Sequence, residues 1–297
     1  MRWDRGRSTP DVIDQRGGGG GGRGGMGLPI GRAGGGLGLV GILVVVALQL
    51  VGGGGGGGFS VDQPFGPVPG GPAGGEPIPA AQDPDRDLRD FSAYVFTDAQ
   101  ERWEQTFRAE GKPYQRAKLV LFADQVSTGG CGSASSAVGP FYCPADQRVY
   151  LDLSFYKDMK MQLRASGDFA WAYVIAHEMG HHVQRQLGTA ERVDTLRRED
   201  SDSANELSVR QELQADCYSG VWAHQVFKAG QLEDGDIDEA FTAAEAVGDD
   251  RLQENAGRRA DRESFTHGSS EQRRRWFDAG RKEGDAAACD TFAAESV

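Results

Sequence analysis

The chain has 297 residues, with 44 Asp and Glu against 32 Lys and Arg, a formal charge of −12. That acidic balance argues against nucleic acid as a partner. Residues 1–75 hold 28 of the 44 glycines, and the rest has the mixed composition of one folded domain of about 210 residues.

Met1 to Arg32 is Gly-rich and basic, with too little apolar surface to fold by itself, and reads as a disordered segment over 1–32. Ala33 to Gly52, "AGGGLGLVGILVVVALQLVG", carries no charge. About 20 residues of helix span a hydrocarbon core, so 33–52 reads as a transmembrane helix whose glycine-rich ends are tolerated in lipid. A Gly/Pro-rich linker covers 53–84 and a folded domain 85–297. The arginines ahead of the apolar run favour a cytoplasmic N-terminus. That makes the chain a single-pass protein of the cell membrane, its folded domain extracytoplasmic. A cleaved signal peptide is the competing reading, although no A-x-A site follows the run.

"DLRDFSAYVFTDAQERWEQTFRAEG" predicts a helix with Trp103 and Phe107 on one face, ended by Gly111 and Pro113. "AKLVLFAD" and "RVYLDLSFY" read as strands. Between them Cys131 and Cys143 flank a turn-rich loop and form the natural local disulfide, which leaves Cys217 for Cys289. An even cysteine count suits an exported domain; free thiols would suit a cytoplasmic one. Asp168 is placed to cap a helix running to Leu187 and closed by Gly188. Thr189 to Asn205 reads as a polar connection. A second long helix is expected from about Glu206 to Lys228, another after "LEDGDIDEAF", and late helices over about Ser270 to Arg281. Two early strands followed by helices predict an α+β fold dominated by helices.

The chemistry concentrates in "VIAHEMGHHVQ", Val174 to Gln184. His177 and His181 are four apart and share a helix face, so both imidazoles can reach one ion. H-E-x-x-H on a helix is the zinc-peptidase pattern. Catalytic zinc takes three protein ligands. "ELQAD" supplies the third: Glu212 as carboxylate ligand, with Asp216 one turn on to accept the N–H of a ligand imidazole. Glu178 is placed as general base for a water activated by zinc. His182 points about 100° away from His181 and is expected to be a second-shell or surface residue. His224 reads as a plain helix residue.

"VIAHEMGHHVQ", "ELQADCYSGVWA", "THGSSEQRRRWF" and "CGSASSAVGPFYCPADQRVYLDLSFY" together resemble the bacterial neutral zinc metallopeptidase family, over about Arg89 to Asp290. H-E-x-x-H followed by E-x-x-x-D is similar to the gluzincin pattern, in which the glutamate is the third zinc ligand. The resemblance implies a zincin-like peptidase domain with a small sheet. "THGSSEQR" resembles the T-H-P-x-x-x-x-R segment of membrane-associated gluzincins, with Gly268 where that segment has proline. Carried over, His267 donates to the developing oxyanion and Arg273 supports the site. "RVYLDL", Arg148 to Leu153, resembles the edge strand on which zinc peptidases hold extended substrates.

The expected protein is a membrane-anchored zinc metalloendopeptidase acting on a peptide or protein, with oligomeric state open. The alternatives are a non-catalytic, zinc-stabilised interaction module at the envelope, and a zinc amidase acting on a cell-wall linkage.

Overall fold

The computed structural model describes residues 1–7, 9–18 and 77–297. The expected transmembrane helix 33–52, and residues 53–76 of the expected linker, lie outside the described residues. No helix among the described residues is long and apolar enough to cross a membrane.

Helices dominate, with a small sheet, as the α+β reading expects. Strand β1 (Val12–Asp14) pairs in parallel with β2 (Lys118–Phe122). A short antiparallel pair, β3 (Gln125–Ser127) and β4 (Ser133–Ser135), stands apart as a second sheet. Strand β5 (Phe141–Cys143) is antiparallel to β6 (Arg148–Asp152), which also pairs in parallel with β2. The main sheet therefore runs β1-β2-β6-β5. Its order corrects the edge-strand expectation. "RVYLD" lies inside the sheet with both edges paired, as its run of buried residues fits. The edge is β5.

The helices are α1 (Arg86–Ala109), α2 (Phe155–Met161), α3 (Asp168–Leu187), α4 (Thr189–Glu199), α5 (Ala204–Lys228), α6 (Asp236–Ala246), α7 (Asp249–Asn255) and α8 (Ser270–Glu283). Helix α4 occupies most of what reads as a polar connection. Only Val193 of it is buried, too little apolar signal to announce a helix. Helix α3 is buried nearly all round because α1, α5 and α6 all pack on it. Trp171 and Tyr173 are fully enclosed, and burying side chains of this size contributes about 1.5–3 kcal/mol each. The indole of Trp171 donates to Ser92 Oγ at 2.9 Å, tying α3 to α1. Gly188 ends α3 in the left-handed conformation, φ 78°. Asp168 makes no capping bond; it is the first helical residue.

Its carboxylate faces the chain's own N-terminus. The Met1 ammonium donates to Asp168 at 2.8 and 2.9 Å and to Asp236 at 3.3 Å. Met1 is 4% exposed within the main core, and Trp3 packs edge-on against Phe91 at 5.4 Å. Asp11 is buried, with Lys118 Nζ at 2.6 Å and Arg116 Nε at 2.8 Å. Arg16 pairs with Asp14 and with Asp83, which also holds Arg89.

Residues 1–7 and 9–18 are thus part of the domain rather than a disordered tail, and the domain's body begins by Asp83. The glycine run diluted the composition of 1–32, and the ion pairs that fix its first half exist only in three dimensions. A single membrane crossing between Gly18 and Pro77 would separate β1 from β2. The pairing of β1 with β2 puts the described N-terminal residues and the rest of the domain in one folded body.

Two disulfides are formed, Cys131–Cys143 and Cys217–Cys289, and among the described residues no cysteine is free. The second closes a loop of 72 residues and joins α5 to the C-terminal segment behind α8.

Candidate metal centre

Helices α3 and α5 build the site where they cross. A Cβ placed on Gly180 would sit 2.9 Å from the Ala215 carbonyl oxygen and 3.0 Å from its Cα, so only glycine lets the two backbones come this close. Farther along α5, Gly220 does the same against α8, and Gly280 of α8 does so against Cys217 and Val221 of α5. The crossing at Gly180 brings Glu212 of α5 over the face of α3 that carries His177 and His181.

The ligand atoms of His177, His181 and Glu212 all lie within 4.8 Å of one another. Nε2 of His177 is 3.2 Å from Glu212 Oε2, and Nε2 of His181 is 3.5 Å from Oε1. Zinc bonds of about 2.0–2.2 Å in a tetrahedron separate neighbouring ligand atoms by about 3.4 Å. The donor set, two imidazoles and a carboxylate, also matches zinc's preference. The residues present fit the ion.

Both imidazoles are held by their other nitrogen. Nδ1 of His177 is 2.8 Å from Asp216 Oδ1, and Nδ1 of His181 is 2.9 Å from Gln184 Oε1. Each Nδ1–H donates outward, which turns Nε2 toward the ion position. Asp216 is fully buried and accepts from Tyr173 Oη at 2.5 Å and from Arg273 Nε and Nη2 at 2.9 Å each. Burial works against its charge, but Arg273 and then His177 hold its carboxyl below the usual range. For His177 burial favours the neutral form, yet Asp216 first and Glu212 second raise its pKa to about 10. Burial also opposes the charge on Glu212, and His181 and His177 override it, holding its carboxyl well below the usual range.

Glu178 is 8% exposed, beside the ligands, and makes no hydrogen bond or ion pair to any described residue. Burial raises its pKa against the opposing pull of His181 and His177. His267 stands at the same cleft. Asp249 builds its turn, its Oδ2 accepting from the backbone N–H groups of Thr266, His267 and Gly268 at 2.8, 2.7 and 3.0 Å. Asp249 Oδ1 faces His267 Nδ1 at 3.3 Å. Burial would lower the pKa of His267, but Asp249 and Glu212 raise it.

His182 is neither at the surface nor beside the ligands. It is fully buried, its Nε2–H donating to the Gln115 carbonyl at 2.7 Å while Nδ1 accepts from Tyr142 Oη at 3.0 Å. Burial lowers its pKa to about 4, so it stays neutral and fastens edge strand β5 to α3. His224 bonds the Arg281 carbonyl at 2.8 Å and joins α5 to α8.

Sequence reasoning missed four residues here. Tyr173 and Gln184 were legible, four before His177 and three after His181 on the same helix. Asp249, 18 positions ahead of His267, and Arg197 carried no local signal. The cleft lined by His177, Glu178, His181, Glu212, His267 and Arg273 encloses about 430 Å³, its remaining lining mostly apolar and β5 forming part of one wall.

A family profile described as "Putative neutral zinc metallopeptidase" matches residues 1–292. The chain belongs to the neutral zinc metallopeptidase family. The match takes in the N-terminal residues that the resemblance over Arg89 to Asp290 left aside. The chain is 45% identical over 297 residues to "Uncharacterized protein YpfJ" of Escherichia coli K12, covering 98% of this chain and 99% of that protein. It is 46% identical over 195 residues to "Uncharacterized protein Rv2575" of Mycobacterium tuberculosis and to "Uncharacterized protein Mb2605" of Mycobacterium bovis, covering 62% of this chain and 65% of each of those. No solved structure matches the chain.

Proposed function

We propose that the chain is a zinc-dependent metalloendopeptidase in which His177, His181 and Glu212 hold the metal and Glu178 is the general base. One observation carries the reading: a buried carboxylate with no structural partner faces a three-ligand site inside an open cleft. A structural zinc site is closed by four ligands and has no use for such an acid. That favours catalysis over a non-catalytic interaction module.

Bound there, zinc supplies a Lewis acid that polarises a carbonyl and lowers the pKa of water. Glu178 takes one proton from the attacking water as its oxygen bonds to the scissile carbonyl carbon. Glu178 then passes that proton to the leaving nitrogen as the C–N bond breaks. His267, oriented through Nδ1 by Asp249, donates from its other nitrogen to the developing oxyanion. Arg273 and Asp216 keep His177 aimed. The cleft suits an extended peptide because β5 offers an unpaired strand edge beside it.

Two disulfides favour an oxidising compartment, so we place the domain outside the cytoplasm at the cell membrane.

Glu178→Gln tests the mechanism on zinc-loaded protein. Zinc content measured by mass spectrometry stays at the wild-type value, while hydrolysis of a peptide library falls by about 10²–10⁴. Undiminished hydrolysis overturns the proposal.

A further inference from the structure

Two arginines line the cleft, Arg197 and Arg273. Arg273 is committed to Asp216 through two hydrogen bonds. Arg197, on α4, is not committed to any carboxylate. Its Nη2 donates to the neutral Gln211 Oε1 at 3.1 Å, and its closest acid, the exposed Asp194, stands off at 3.8 Å. Its Nε is buried and has no hydrogen-bond partner among the described residues. Burial, the largest influence, destabilises the guanidinium charge more than Asp194 and Glu212 restore it. A partly buried cation so poorly compensated is poised to accept an anion.

Its position gives that anion a meaning. Gln211, which Arg197 holds, offers its backbone carbonyl to Gln184 Nε2 at 2.6 Å. Gln184 Oε1 in turn accepts from His181 Nδ1. Arg197 is therefore joined to a metal ligand through two glutamines, on the α4 side of the cleft. Phe141, Phe155, Leu163, Val174 and Leu252 supply apolar lining to the same cleft.

Resting on the peptidase reading, we propose that Arg197 is a specificity residue that binds a substrate carboxylate, on a peptide whose neighbouring side chains are apolar. That carboxylate is either the peptide's C-terminus or an acidic side chain. The guanidinium fork satisfies both oxygens of either in the same way.

The test measures binding separately from turnover. Dansyl-Ala-Phe-Leu-Ala is titrated into zinc-loaded, full-length Glu178→Gln protein as the free acid, as the C-terminal amide, and as the amide with Glu in place of the last Ala. Fluorescence anisotropy reads the affinity. At least one carboxylate peptide binds about 10- to 100-fold tighter than the plain amide, the range expected of a hydrogen bond to a charged group. Adding Arg197→Gln erases that preference, so that carboxylate and amide peptides bind equally. Arg197→Lys keeps the charge without the fork and retains part of the preference; it also decides the matter if the glutamine variant does not fold. Preference for the free acid identifies a C-terminal carboxylate, and preference for the Glu peptide an acidic side chain. Equal affinity for all three peptides, or a preference that survives Arg197→Gln, overturns the proposal. If none binds, a casein digest by wild-type protein settles both readings. Cleavage sites with no bias toward acidic residues or chain ends overturn the role of Arg197 alone. No cleavage overturns the peptidase reading and this proposal with it.

Discussion

Arg273 and Asp216, 57 positions apart, form a two-pronged ion pair with 2.9 Å on each prong, and both side chains are enclosed in the domain. The same carboxylate takes the Nδ1–H of His177. An arginine on α8 thereby sets the tautomer of a candidate metal ligand on α3 through an acid on α5. A buried aspartate serving an imidazole needs such a counter-charge, since burying it unpaired costs several kcal/mol.

Asp216→Asn keeps the shape of this junction and removes its charge. Zinc affinity, measured by competition with a chromogenic chelator, falls about 10- to 100-fold. The variant also loses stability, on the order of 3–5 kcal/mol, because Arg273 is left buried and unpaired. Unchanged zinc affinity refutes the orienting role of Asp216.

Gly180→Ala tests the helix crossing. The added methyl meets backbone atoms of Ala215 at 2.9 and 3.0 Å, which cannot swing aside as a side-chain end would. Helix α5 must then shift, and Glu212 moves with it. Destabilisation of about 1–3 kcal/mol is expected from such overpacking, together with weaker zinc binding. A variant as stable as wild type and with the same zinc affinity shows that the crossing has room to spare.

The N-terminal segment should respond to acid. Burial opposes the charge of Asp83, but Arg16, the backbone N–H of Asp85 and Arg89 hold its pKa below the ordinary carboxylate value. A folded-state pKa below the unfolded one adds stability above the unfolded value, about 3.9, which is lost as pH falls through the folded value. Asp83→Asn therefore melts well below wild type at pH 6, and the gap narrows below about pH 4. A gap that does not change between pH 6 and pH 3 sinks this assignment.

The shared sheet also predicts that the N-terminal segment and the rest of the domain lie on one side of the membrane. Single cysteines introduced at the exposed positions Arg5 and Glu199 should label with an impermeant maleimide from the same side of the membrane in intact cells. Native cysteines are paired in disulfides and stay silent. Labelling from opposite sides means that β1 is not in this sheet in the cell.

The local pattern of the sequence determined the parts of the site that lie one helical turn apart. His177, Glu178 and His181 are such a set, and so are Glu212 and Asp216, because a 3.6-residue period fixes what shares a face. Helix ends at Gly188 were legible for the same local reason. What the tertiary structure alone decided are relationships between distant segments. The crossing at Gly180 put Glu212 against the two imidazoles. Asp249 came to His267, and Arg197 entered the cleft, through packing that leaves no mark on neighbouring residues. Strand β6 turned out internal because edge and centre depend on strand order, which a buried apolar run does not encode. Residues 1–7 and 9–18 were misread most, since three residues of strand and a handful of ion pairs hold them. Those interactions gain their strength from burial against the rest of the domain, and composition cannot register that.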